Sequence, residues 1–454
     1  MTGNAVEGER NPVPKLRLLK RKEVPGPIPA EALPLSAVEA ALLDQLAAGE
    51  DGAIRAVEVA LHQAALHRAS DVHFEPWDDG LAVRFRIDGI LHPVTTLPKA
   101  AQEKVVARIK VLAKLVVYKK DIPQEGRIDA EAVACKRAMR VSTFPTVAGE
   151  KAVVRILDAS QNLLGLDALG FGEETVALLR AFVAQPHGTL LLTGPSSSGK
   201  TTTIYALLRE IAATRKPAAH MVTLEDPVEY RLGEVAQTQI NPNAGLTFEA
   251  ALRAVLRQDP DVIMVGEIRD AETARTAIQA GLSGHLVIST IHSGTAAGVF
   301  ARLLEMGVEP FLIASSVTAV LAQRLVRRTC AACAADYAPD PALLEAFGLV
   351  PADGPFRQGA GCASCEGIGY FGRTVIGEML RVDEALAEAI LARPRTRVLQ
   401  ELAIKHAMTT LLQDGLAKAR TGVTSLEELR RVLRVAGDQD ASVGDEGLHS
   451  VEET

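Results

Sequence analysis

At 454 residues the chain exceeds the roughly 100–200 residues of a single domain, so several cores are expected. A formal net charge of −7 and 4% aromatic residues argue against a nucleic-acid footprint, which needs basic surface and stacking platforms. No run reaches the roughly 18 apolar residues of a membrane helix, "PFLIASSVTAVLA" (310–322) being too short, and the start lacks a signal-peptide core, so a cytoplasmic protein is expected.

In chain order, residues 1–35 are proline-rich and carry Lys15, Arg17, Lys20, Arg21 and Lys22, a composition expected of a disordered arm. It reads either as a solvated linker or as a surface for acidic lipid or a partner. A first α+β unit is expected over 36–157. There "LAVRFRIDGILHPV" (81–94) alternates around an Asp88-Gly89 turn signal and predicts a hairpin. "AQEKVVARIKVLAKLVV" (101–117) predicts a helix, and "RVSTFPTVAGEKAVVRIL" (140–157) predicts two strands about a Pro/Gly turn. Residues 158–165 read as a linker and hinge.

From 166 to 329 one design repeats: short apolar strands that end in polar chemistry. "TLLLTG" runs into Gly194, Pro195, Ser196, Ser197, Ser198, Gly199, Lys200 and Thr201, which match G-x-x-x-x-G-K-[ST] between a strand and a helix. Glycines let successive N–H groups turn inward, the helix start adds its positive end, Lys200 can reach terminal phosphates and Thr201 can hold Mg²⁺. "MVTLEDPVE" (221–229) ends in Glu225, Asp226 and Glu229; "DVIMVGEIRD" (261–270) ends in Glu267 and Arg269; "GHLVIST" (284–290) leads to His292. In an open parallel sheet these ends share one edge, so they should converge on a hydrolytic nucleotide site. Arg253 and Arg257, at i and i+4, are expected on one helix face, either pairing with nearby acids or facing phosphate.

Cys330-x-x-Cys333 and Cys362-x-x-Cys365 form two pairs that can close a tetrahedral, structural Zn²⁺ site; the alternative is free thiols. The leftover Cys135 reads as a small buried hydrophobe. Residues 330–372 are therefore an expected zinc insertion, 373–435 a helical segment and 436–454 an acidic, disordered tail.

Together "ASDVHFEP", "RFRIDG", "PQEGR", "RVSTFPTVAGEKAVVRIL", "GPSSSGKTTT", "TLEDPVEY", "LRAVLRQDPDVIMVGEIRD", "GHLVISTIHSGTAAGVFARLLEMG", "LAQRLVRRTC" and the paired cysteines resemble the ATPases of type II secretion and type IV pilus assembly. The resemblance runs from about Ala69 to Arg434. It implies an α/β fold: a RecA-like P-loop core with a PAS-like amino-terminal α+β domain, a tetracysteine insertion and carboxy-terminal helices.

It further implies that Lys200, Thr201 and neighbouring Thr202 belong to the phosphate loop, Glu267 to Walker B, Glu229 to the catalytic position and His292 to the His box. Arg140 and Arg155 match amino-terminal arginines that reach nucleotide, and Arg253, Arg257, Arg269 and Arg302 match arginines of the core. The cofactors implied are ATP, Mg²⁺ and Zn²⁺. The implied assembly is a homo-hexamer that works with inner-membrane platform and cytoplasmic-domain components of a secretion or pilus machine, without nucleic acid. Retraction motors of the family lack the cysteine insertion, which favours assembly over retraction. A nucleotide-gated scaffold without turnover is the reading outside enzymes. Two features depart from the family: Gly294 stands where Asn is usual, and the region before Leu35 is shorter than the family's additional amino-terminal domain.

Overall fold

A computed structural model describes residues 28–47, 49, 51–157, 164–215 and 219–433. Most of the expected arm, most of the 158–165 hinge and the acidic tail lie outside these residues. Two compact units divide near Leu157.

The first unit begins with α1 (Leu35–Leu46) and α2 (Gly52–Leu66), followed by β1 (Asp71–Pro76), β2 (Gly80–Ile87) and β3 (Ile90–Pro98). Then come α3 (Gln102–Leu112), β4 (Gln124–Ile128), β5 (Met139–Thr146) and β6 (Gly149–Ile156). The six strands form one sheet in the order β3-β2-β1-β6-β5-β4. Strand alternation sends Val72, Phe74, Phe85, Val141 and Val154 into a core with Val57, Leu61, Val105 and Ile109 of the helices. The hairpin at Asp88-Gly89 is present, with both residues at positive φ (47° and 87°), the pair of angles a two-residue hairpin turn demands. The expected 101–117 helix stops at Leu112, because Lys114 turns left-handed (φ 60°) and Leu115 N–H caps the Lys110 carbonyl at 2.8 Å.

On the opposite face of this sheet, register aligns Arg127, Arg140 and Arg155 on β4, β5 and β6 with Asp71 on β1 and Arg86 on β2. Asp71 is the buried acceptor in the row, taking Arg155 Nε at 2.9 Å.

In the second unit α4 (Glu173–Val183) precedes β7 (Gly188–Thr193), α5 (Lys200–Thr214), β8 (Met221–Glu225) and β9 (Ala236–Gln239). Next are α6 (Phe248–Val255), β10 (Val262–Ile268), α7 (Ala271–Leu282), β11 (Leu286–Ile291), α8 (Ala296–Glu305), α9 (Pro310–Ser316) and β12 (Val317–Thr329). The chain continues with β13 (Ala334–Tyr337), α10 (Pro341–Ala346), β14 (Phe356–Gly359) and β15 (Tyr370–Arg381). It closes with α11 (Glu384–Leu391), α12 (Thr396–Lys405), α13 (Leu411–Arg420) and α14 (Leu426–Val432).

The seven-stranded sheet has the order β15-β12-β7-β11-β10-β8-β9, and only β15 runs antiparallel to its neighbour. Leu190, Leu192, Met264 and Ile288 pack against α4 and α5 on one face, while Leu191, Ile263, Val265 and Val287 pack with α6, α7 and α8 on the other. Strands buried on both faces read as continuous apolar runs, as these do. The apolar stretch at 310–322 splits between α9 and β12. One element differs from expectation: residues 370–381, expected within the insertion and the helical segment, form β15 ahead of four helices. Residues 374–380 of β15 are buried on both faces, Val375 and Met379 joining the core with α4 and α5, Ile376 and Leu380 the core on the other side.

Candidate functional site

The phosphate loop takes its shape from three residues at positive φ: Gly194 (150°), Ser197 (61°) and Gly199 (88°). A Cβ on Gly194 would lie 2.5 Å from the Gln323 carbonyl, so glycine is required by close approach as well as by angle. Gln323 of β12 braces the loop from behind, its Nε2 donating to the Ser198 carbonyl at 2.8 Å. Lys200 opens α5, and its Nζ donates to the carbonyls of Gly194 (2.7 Å) and Pro195 (3.0 Å). Burial and the nearby Arg324 lower its pKa, while Glu267 opposes them.

The strand ends converge as their register demands. One cleft of about 190 Å³ is lined by Lys200, Thr201, Glu229, Glu267 and His292, with Glu225 and Asp226 alongside. Glu267 owes its position to an irregularity in the β10–β11 ladder between Val265 and Ile268, of the kind that re-aims a side chain. There Thr290 Oγ1 donates to the Gly266 carbonyl at 2.7 Å. Glu267 pairs with Arg269, which raises the arginine's pKa, and its other oxygen lies 3.7 Å from His292 Nε2. Glu225, by contrast, is buried and taken up by hydrogen bonds from Tyr205 and Thr223. It is a lining residue already committed to the protein.

Other expected site residues sit elsewhere. Arg253 pairs with Glu249 (3.1 Å) and Glu272 (3.2 Å), and Arg302 with Glu305 (3.5 Å). The single helix face expected for Arg253 and Arg257 is corrected: α6 ends at Val255, and Asp259 turns left-handed (φ 53°) before Pro260. Arg140 and Arg155 belong to the first unit's sheet, paired with Glu125 (2.7 Å) and Asp71 (2.9 Å).

The sequence reading missed Arg324. Its Nη2 donates to the Gly294 carbonyl at 2.7 Å and its Nη1 to the Gln323 carbonyl at 2.9 Å, and burial lowers its pKa although Glu378 opposes this. Glu378, itself buried, accepts the first N–H of α8 from Ala296 at 3.0 Å. Thr193 exchanges hydrogen bonds with Ser293 at 2.9 and 3.0 Å. The segment after His292 is thus fixed to β7, β12 and β15.

The four cysteine sulfurs lie within 4.8 Å of one another. Cys330–Cys362 is 3.9 Å, while Cys333–Cys365 and Cys362–Cys365 are each 3.7 Å. A tetrahedron with Zn–S of ~2.3 Å has edges of ~3.8 Å, so the donor set fits that ion. Backbone N–H groups of Cys362 and Gly369 already point at Cys365 Sγ (3.2 Å each), which suits a thiolate.

A glycine-rich loop at a helix start, with carboxylates and a histidine from neighbouring parallel strand ends, defines a P-loop ATPase. Comparison with known proteins narrows this. The profile of the family described as "Type II/IV secretion system protein" matches residues 47–431, and the chain belongs to that family. The chain is 45% identical to the type IV pilus assembly ATPase PilB of Thermus thermophilus, over 84% of the chain but 43% of that protein. It is 43% identical to the type II secretion system protein E of Dickeya dadantii over 86% of the chain and 78% of the relative. The type II secretion system ATPase E of Vibrio cholerae is 42% identical, again over 86% and 78%. The chain thus spans less than half of the Thermus protein and about four fifths of the two secretion proteins. Among solved structures, the pilus retraction motor PilT with bound ADP superposes with a TM-score of 0.56 at 24% identity, covering 83% of this chain and 96% of that one. The DotB ATPase of Yersinia pseudotuberculosis gives 0.61 at 20% identity, covering 83% and 93%. These two likenesses concern the fold.

Proposed function

We propose that the chain hydrolyses Mg-ATP within a homo-hexameric ring and drives pilus or pseudopilus assembly from the cytoplasmic face of the inner membrane. The observation that carries this reading is the single cleft shared by Lys200, Thr201, Glu229, Glu267 and His292. Lys200 supplies charge to the β/γ-phosphates, and Glu229 orients or deprotonates the attacking water. Thr201 and Glu267 would hold Mg²⁺ and its water, and the ion would neutralise charge that develops on the phosphate oxygens. His292, beside Glu267, senses the γ-phosphate. Arg140 and Arg155 are proposed to close on nucleotide, with Arg253, Arg257, Arg269 and Arg302 adding positive charge within or between subunits. The membrane platform and cytoplasmic components of a secretion or pilus machine are the partners this role needs. Among the described residues no helix is long and apolar enough to cross a membrane.

The cysteine cluster supports assembly over retraction and is proposed to hold one structural Zn²⁺. Glu229→Gln and Glu267→Gln test the reading: both are expected to bind Mg-ATP while turnover falls by about 100-fold, as for loss of one positioned catalytic group. Near-wild-type turnover in both variants would remove the catalytic assignment. Activity should also rise with ring assembly and be lost on dilution to monomer, and an equally active monomer counts against the ring.

A further inference from the structure

The loop that carries Glu229 is joined to the helix that carries Lys200 by a buried polar cluster. Tyr205, five residues after Lys200 on α5, is fully buried, and its hydroxyl donates to Glu225 Oε2. The other carboxylate oxygen accepts Thr223 Oγ1 at 2.5 Å and Gln237 Nε2 at 3.0 Å. Gln237, on β9, grips the far end of the same loop. Its Nε2 donates to the Tyr230 carbonyl at 3.1 Å, and its Oε1 accepts Leu232 N–H at 2.7 Å. Tyr230 stands edge-on to the Tyr205 ring, with centroids 4.5 Å apart. Burial, then Glu225, push the Tyr205 pKa up, so the phenol keeps its proton and remains a donor.

Residues 226–235 connect two parallel strands, β8 and β9, without a helix. Such a crossover has no regular ladder of its own, so side chains must set its path. Glu229 lies between the two anchors, Glu225 at the strand end and Tyr230 at the Gln237 amide.

We propose that Tyr205 is a positioning residue for ATP hydrolysis: through Glu225 and Gln237 it holds the 226–231 loop so that Glu229 stays at the phosphate cleft. The proposal rests on the reading of Glu229 as the catalytic carboxylate. It makes α5 the reference for both the phosphates and the water-handling group, which fixes their separation. A role confined to core packing would change stability without acting through Glu229.

The test uses the full chain and Mg-ATP, comparing wild type, Tyr205→Phe, Glu229→Gln and the double variant. Phenylalanine keeps the ring contact and deletes only the donor. Tyr205→Phe is expected to lower kcat about 10-fold with KM for ATP within about 2-fold, and to have no further effect in the Glu229→Gln background, since groups that act as a unit are non-additive. Gln237→Met, which leaves α5 untouched, should reproduce the kcat loss and covers the case of a poorly folded Tyr205 variant. Unchanged kcat in Tyr205→Phe, or the same factor in both backgrounds while Glu229→Gln is itself slow, overturns the proposal. Near-wild-type turnover of Glu229→Gln instead overturns the Glu229 reading on which it rests.

Discussion

Arg324 on β12 donates to the carbonyl of Gly294 at 2.7 Å, so a cation on one strand fastens the segment that follows His292 on another. Burial of this guanidinium lowers its pKa against the opposing charge of Glu378, and its N–H groups are taken by the Gly294 and Gln323 carbonyls. Its charge also depresses the pKa of Lys200. Arg324→Gln is expected to loosen the His292 segment and cut turnover by about tenfold, equivalent to ~1.4 kcal/mol of transition-state stabilisation. Steady-state kinetics check this, and unchanged kcat/KM would show that the Thr193 and Glu378 contacts hold the segment without Arg324.

The asparagine that the resemblance leads one to expect can be introduced at Gly294. A Cβ there meets nothing within 4 Å, and its φ lies outside the left-handed region. Gly294→Asn should therefore change stability by no more than about 0.5 kcal/mol. A thermal melt reads this, and a much larger loss would mean that the amide displaces the Arg324 contact.

For the cysteine cluster, purified protein under reducing conditions should contain one zinc per chain. Replacing Cys330 and Cys362 by Ser should raise amide exchange across residues ~330–369 while nucleotide binding remains, because metal binding is coupled to local folding. Absence of zinc by elemental analysis overturns the assignment.

His73, on the Asp71 face of β1, is held neutral: burial, then Arg86, lower its pKa to about 4 from 6.5, with Asp71 opposing. Its folded pKa lies below the unfolded one, so the unfolded chain binds more protons in between. Stability is therefore retained above pH 6.5 and falls as pH drops toward 4. In His73→Leu the slope of denaturation midpoint against pH over that window should flatten. An identical slope in both proteins would assign the acid sensitivity to other groups.

What could be read from sequence was local. The phosphate loop is a contiguous motif, and Glu267 and His292 follow apolar strands whose carboxyl ends must share an edge. The cysteine pairs carry their chemistry in their spacing. Arg324 was not legible because its role comes from register: pairing of Ala322 with Thr193 sets β12 beside the strand that enters the phosphate loop. The strand pattern alone did not separate Glu225 from Glu229; only the family resemblance did. Both belong to "EDPVE", but Glu225 ends β8 under Tyr205 and Gln237, partners that are distant in the chain or supplied by a strand with little apolar signal. The end of α6 at Val255 was obscured by the helical spacing of the two arginines.

The length of β12 has a mechanical consequence. Its 13 residues, at roughly 3.3 Å each, reach about 43 Å, but pairing with β7 stops at Ala322 while pairing with β15 continues to Thr329. Beyond the sheet the two strands form a ribbon, and a bare two-stranded ribbon is marginal in water. Glu428 grips Arg327 through three contacts of 2.7–2.9 Å, Thr424 Oγ1 donates to the Arg327 carbonyl at 2.8 Å, and the sulfurs of Cys330 and its partners lie at the tip. Unpairing that starts at the tip therefore meets the Arg327 clamp before it reaches Gln323, the brace of the phosphate loop.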